Sequence, residues 1–116
     1  MMNVLNQYMK LGTKITVYVP ATINTNETID NAPYVTRTAE LLSNLFGGAT
    51  STNAVGYYVS NAVGLVTEKT TMVFAYADTE TLEAKIQDVL EWAVILKNEM
   101  SQESIALEIN GEMYFI

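Results

Sequence analysis

The apolar residues Leu82, Ile86, Val89, Ala93, Leu96 and Met100 recur at alternating steps of four and three. That spacing paints one stripe along an α-helix, and a strand cannot present it on one side. The stripe follows Leu65 to Ala77, a run rich in Val, Thr, Phe and Tyr that reads as a long strand. Asp78 or Thr79 caps the helix between them, and Glu80 and Glu83 place negative charge in its first turn. A long strand feeding a long amphipathic helix already points to a mixed α and β domain.

The period of the pattern switches in the same way earlier in the chain. From Thr13 to Val19 the residues Ile15, Val17 and Val19 alternate with Lys14, Thr16 and Tyr18, and Pro20 ends this strand. The polar stretch Ala21 to Asp30 is long for a connection inside a compact domain, and such loops often carry function. Asp30 or Asn31 is expected to cap a first helix, with Pro33 in its first turn. Val35, Ala39, Leu42 and Phe46 form its stripe, and Gly47-Gly48 stops it. Ala54 to Ser60 reads as a strand, and Asn61 to Gly64 as the turn of a β-hairpin with Leu65 to Ala77. At the end, Ser104 to Ile109 alternates, Asn110-Gly111 suits a type I′ turn, and Glu112 to Ile116 returns as a last strand.

The order is therefore a ferredoxin-like βαββαβ α+β domain with an extra C-terminal strand. Right-handed crossovers give an antiparallel sheet with both helices on one face, in the strand order 2-3-1-4, with strand five outside strand four. Residues 13–116 make this single domain, and residues 1–12, with Leu5, Tyr8 and Met9 at helical spacing, make an N-terminal arm.

Composition narrows the chemistry. The chain has no cysteine and no histidine, which excludes disulfides, thiolate nucleophiles, Ser-His-Asp triads and zinc held by Cys or His within one chain. A general base must then be a carboxylate, a lysine or a tyrosine. No cofactor and no metal site is expected: the helix carboxylates Glu80, Glu83, Asp88, Glu91 and Glu99 lack regular ligand spacing. A net charge of −7 with Arg37 as the single arginine opposes direct nucleic-acid binding and suits a basic protein partner. No apolar run reaches membrane-spanning length and no secretory signal is visible, so a cytoplasmic location is expected.

The sheet face away from the helices is expected to be bare. Met72, Phe74 and Tyr76 alternate with Val73 and Ala75, so that strand is apolar on both sides, and Tyr18, Tyr57, Tyr58, Tyr76 and Tyr114 fall on strands. A face of this kind is expected to be covered, most simply by a second copy in a homodimer. Glu68 shares its parity with Thr70, Met72, Phe74 and Tyr76; it is either a solvated or Lys69-balanced charge near the strand end, or a base or acceptor among the tyrosines of the open face. Gln102-Glu103 either closes the second helix or lines the same sheet edge. Trp92 is expected in the core, with an interface contact as the alternative, and Gly47-Gly48 follows a helix and so is a stop rather than a phosphate loop.

Phe46-Gly47-Gly48-Ala49-Thr50, Gly56-Tyr57-Tyr58, Gly64, Glu68 and Gln102-Glu103-Ser104 together resemble a small bacterial ferredoxin-like family with a GG-T, G-aromatic, G, E and Q-E pattern. Tyr58 stands where that pattern often has tryptophan. The resemblance implies no activity; it selects Thr50, Tyr58, Glu68, Gln102 and Glu103 as ligand-binding or interface candidates, to which the open face adds Tyr76. Three functions follow. The first is a non-enzymatic binding or regulatory protein that holds a small ligand or protein on its open face. The second is a phage or mobile-element inhibitor acting by nucleic-acid mimicry or ligand sequestration. The third is a cofactor-free enzyme of the dimeric ferredoxin-like barrel kind, with Glu68 as base and Tyr58 as donor.

Overall fold

Alternation at Ile15, Val17 and Val19 becomes strand β1 (Thr13–Pro20), and these three side chains are wholly buried. The computed structural model describes residues 2–23 and 27–116. A short helix α1 (Met2–Leu5) precedes β1. After β1 the expected loop contains a small pairing of β2 (Thr22–Ile23) with β3 (Glu27–Thr28); residues 24–26 lie outside the described residues. Then come α2 (Ala32–Phe46), β4 (Thr50–Ser60), β5 (Gly64–Ala77), α3 (Thr79–Glu99), β6 (Ala106–Ile109) and β7 (Glu112–Phe115).

The fold is α+β. Its main sheet has five antiparallel strands in the order β4-β5-β1-β6-β7, the order that right-handed crossovers imply. Ile15, Val17, Val19, Val73, Ala75 and Leu107 point from one sheet face into the core. Leu42 of α2 and Leu82, Val89, Ala93 and Leu96 of α3 meet them there. The helix stripe is thus buried as its spacing requires, and burial of each large aliphatic side chain contributes roughly 1.5–3 kcal/mol.

Two helix starts differ in their chemistry. Asp78 caps α3, its Oδ1 accepting from the Thr81 N–H at 2.7 Å. At α2 the cap residue is Asn31, but its side chain makes no cap bond. Asn31 Nδ2 instead donates to the Val19 and Pro20 carbonyls and to Thr71 Oγ1. Thr71 passes its own proton to Asn53 Oδ1 at 3.1 Å. This polar ladder stitches α2 to β1, β5 and β4, and Asp30 Oδ1 takes over the helix N–H of Ala32.

Trp92 is buried as expected, and its indole N–H finds a partner: Nε1 donates to Thr38 Oγ1 at 2.9 Å. Thr38 in turn donates to the Tyr34 carbonyl at 2.7 Å. Arg37 lies 4.7 Å above the indole ring and pairs with Glu99 at 2.9 Å, tying α2 to the end of α3.

One feature exceeds the expectation from sequence. β4 begins at Thr50 rather than near Ala54, and pairs with β5 through to Ser60 and Gly64. β1 pairs with β5 only from Thr70 to Ala77. Beyond Lys69 the two strands therefore continue as a two-stranded arm. Val55, Tyr57, Tyr58, Val59 and Leu65 are all exposed on it. A two-stranded ribbon is marginal in water without further packing.

Candidate functional site

Strand pairing decides which candidates meet. Glu68 of β5 stands directly opposite Gly56 of β4, and Tyr58 lies two residues further along the same face, opposite Val66. This is the face away from the helices, as the parity of Glu68 requires. Gly56 offers no side chain, so the space above its Cα joins the recess beside Glu68. A Cβ built there meets only the Glu68 carbonyl, at 3.6 Å.

The second wall comes from the chain after α3. The helix ends at a turn in which Ser101 takes φ of 52°, a left-handed conformation uncommon for a residue with a side chain. The Gln102 N–H reaches back to the Lys97 carbonyl at 2.9 Å. This turn carries Gln102, Glu103 and Ser104 across the end of the sheet toward Glu68. Gln102 Nε2 donates to the Met100 carbonyl, which closes the helix end, and also to the Thr22 carbonyl at 2.9 Å. Both roles expected for Gln102 are therefore filled by one side chain.

Two adjoining recesses result. One, of about 160 Å³, is lined by Tyr58, Glu68, Gln102, Glu103 and Ser104. Its neighbour, of about 240 Å³, shares Glu68, Gln102 and Ser104 and adds Tyr18, Gly56 and Phe115. Tyr58, Glu68, Gln102 and Glu103 are thus brought together. Thr50 and Tyr76 share the face but not the place. Thr50 pairs with Phe74, six residues from Gly56 along β4, which is about 20 Å in a strand. Tyr76 lies still further along β5, opposite Lys14.

Tyr18, in the wall of the larger recess, pairs with Glu108 behind it, a pair without a signal in the sequence. The Tyr18 hydroxyl donates to Glu108 Oε1 at 2.9 Å. Burial, followed by this bond and the carboxylate charge, pushes the phenol above its ordinary range. The alternation of β1 placed Tyr18 on this face, but Glu108 could be matched to it only through the β1–β6 register. Thr22 was hidden likewise, in a polar loop without periodicity; its hydroxyl donates to Glu68 Oε1 at 3.2 Å.

The electrostatics are one-sided. Glu68 and Glu103 line the recess, with Glu108 behind Tyr18, while Lys14 sits at the other end of the face, 4.4 Å from the Phe74 ring centre. A cationic or hydrogen-donating small molecule fits this arrangement better than an anion. Among the described residues no group of three or more carboxylate, Cys or His side chains converges as a metal site, and no helix is long and apolar enough to cross a membrane.

No family model and no curated protein matches the chain. Solved structures do. A phage SAM lyase in complex with S-methyl-5'-thioadenosine aligns over 93% of this chain and 93% of its own, with a TM-score of 0.65 and 20% identity. A phage SAM lyase in its apo state aligns over 94% of each chain at the same score and identity. The chain shares the fold of these lyases. Likeness at this identity carries the overall fold, over nearly the whole length of both chains.

Proposed function

We propose that the chain binds S-adenosylmethionine in the recess between Glu68 and Gln102 and cleaves it, releasing S-methyl-5'-thioadenosine. The observation that carries this reading is the recess itself, in which an acidic side chain opposite a glycine lies between aromatic rings and a polar turn. The substrate follows from the fold shared with a phage lyase that acts on SAM and was solved with the thioadenosine.

The chemistry of the ligand matches the residues. S-adenosylmethionine carries a sulfonium and an ammonium, and Glu68 and Glu103 supply the opposing charge. Tyr58 and Phe115 offer ring faces for the adenine or the sulfonium. The net charge of −7 draws a cation toward the protein. In the cleavage the bond from sulfur to the γ-carbon breaks and its electron pair stays on sulfur, which becomes a neutral thioether. The γ-carbon is completed in one of two balanced ways. Either the β-carbon gives its proton to Glu68 and a double bond forms, or the ligand's own carboxylate closes on the γ-carbon as a lactone.

The same reading treats the protein as ferredoxin-like, cytoplasmic with its ligand, and self-associating. Each recess alone is smaller than the roughly 300 Å³ at which small-molecule sites begin. The exposed apolar arm flanks both, so a second copy covering the bare face would supply the missing wall. A native mass spectrum showing a dimer or larger oligomer supports this, and a monomer at high concentration contradicts it. A protein that destroys S-adenosylmethionine withdraws the methyl donor from any enzyme that needs it, which suits a phage or mobile-element inhibitor.

Titration calorimetry with S-methyl-5'-thioadenosine and S-adenosylmethionine tests the site. Heat of binding from both supports it, and no heat from either removes it. Binding of S-adenosylmethionine without turnover selects sequestration over cleavage.

A further inference from the structure

Thr22 touches both polar walls of the recess from an element that belongs to neither. It lies on β2, whose base is fixed by two backbone bonds: the Ala21 N–H donates to the Lys69 carbonyl at 3.1 Å, and the Ile29 N–H to the Ala21 carbonyl at 2.9 Å. From this anchored position the Thr22 hydroxyl donates to Glu68 Oε1 at 3.2 Å, and the Thr22 carbonyl accepts from Gln102 Nε2 at 2.9 Å. Glu68 stands on the two-stranded arm and Gln102 in the turn after α3, so without this residue nothing described ties the two side chains to each other.

We infer that Thr22 is a positioning residue, which fixes the Glu68 carboxylate and the Gln102 amide in one mutual geometry before a ligand arrives. Glutamate on a half-open strand has several rotamers, and a donor from a separate element selects among them. The effect on Gln102 is sharper. Its Nε2 faces two carbonyls, those of Thr22 and Met100, and only an NH2 group can satisfy both. The amide is thereby oriented, and its Oε1 is left as the acceptor for a ligand donor such as an ammonium or a ribose hydroxyl. One residue thus presents the ligand with a fixed anion and a fixed neutral acceptor.

The identity of the ligand rests on the function proposed above; the positioning itself does not. The test compares Thr22→Val, which removes the hydroxyl and keeps the shape, with Thr22→Ser, which keeps the hydroxyl. Two readouts are taken: kcat and KM for release of S-methyl-5'-thioadenosine, and the Glu68 carboxyl-carbon resonance of the protein without ligand. Loss of preorganisation falls mainly on kcat. Thr22→Val is expected to lose about tenfold in kcat at an unchanged melting temperature, with Thr22→Ser within about twofold of wild type. The Glu68 resonance is expected to move in the valine variant only. A valine variant with unchanged kcat and an unmoved resonance overturns the inference, as does a serine variant as deficient as the valine one. If wild type neither binds nor cleaves S-adenosylmethionine, the functional reading fails. The resonance alone then decides the role of Thr22, and an unmoved one overturns it.

Discussion

Gly56 stands directly across the β4–β5 ladder from Glu68, and the missing side chain at the one opens the space beside the other. A Cβ at Gly56 meets only backbone at 3.6 Å, and Gly56 does not hold a positive φ. The strand therefore accepts a side chain while the recess does not. Gly56→Leu is expected to keep the fold and its melting temperature within a few degrees, and to abolish binding of S-methyl-5'-thioadenosine in calorimetry. Binding at wild-type strength would place the ligand elsewhere.

Glu68 is assigned to the cationic part of the ligand, and the two ligands differ in that charge. S-adenosylmethionine carries the sulfonium, whereas S-methyl-5'-thioadenosine is neutral. Glu68→Gln keeps the shape and an acceptor for Thr22 but removes the charge. Affinity for S-adenosylmethionine is expected to fall about tenfold or more, in the range of roughly 1.5–3 kcal/mol for a hydrogen bond to a charged group. Affinity for the thioadenosine is expected to change by less than about threefold. Equal losses for both ligands would show that Glu68 does not face the sulfonium.

Away from the site, Thr38 holds the Trp92 indole proton inside the core. Thr38→Val replaces the acceptor by a methyl group and leaves a buried N–H without a partner, at a cost of about 1–3 kcal/mol. Urea unfolding measures it. A loss well below that range would mean that the indole finds another acceptor.

The cap of α3 makes stability depend on pH with a defined sign. The Thr81 N–H holds the Asp78 carboxyl below its ordinary value of 3.8. A carboxyl lowered in the folded state favours folding above its unfolded value, and that contribution disappears as pH falls through the lowered value. Asp78→Ala is thus expected to lower the melting temperature at about pH 7, with the gap to wild type closing toward about pH 2. A gap that widens in acid would contradict the cap.

Much of the architecture was legible because it depends on local period. The stripe from Leu82 to Met100, the alternation around Val17 and the Asn110-Gly111 turn each express a rule that acts within a few residues. Asn110 and Gly111 indeed both take positive φ, at 50° and 87°. The meeting of Glu68 with Gln102 was legible only as a possibility, since parity gives the face of a residue and not its height along the strand. Height comes from register, set by contacts between residues far apart in sequence. That is why Thr50 and Tyr76, on the correct face, stand about 20 Å or more from Glu68. Asn31 shows the converse: its type suits a helix cap, but the Val19 and Pro20 carbonyls and Thr71, all close by in space, compete for its amide. Thr22 carried no signal at all, because a threonine in a polar loop looks like any other until a carboxylate and an amide are placed beside it.

The most direct measurement is incubation of the purified protein with S-adenosylmethionine labelled in its methyl group, followed by chromatography and mass spectrometry of the products. Labelled S-methyl-5'-thioadenosine is expected to form in step with enzyme concentration, together with an unlabelled four-carbon fragment, with a marked loss of both in Glu68→Gln. Release no faster than in buffer alone, with S-adenosylmethionine recovered intact, would contradict the proposed cleavage.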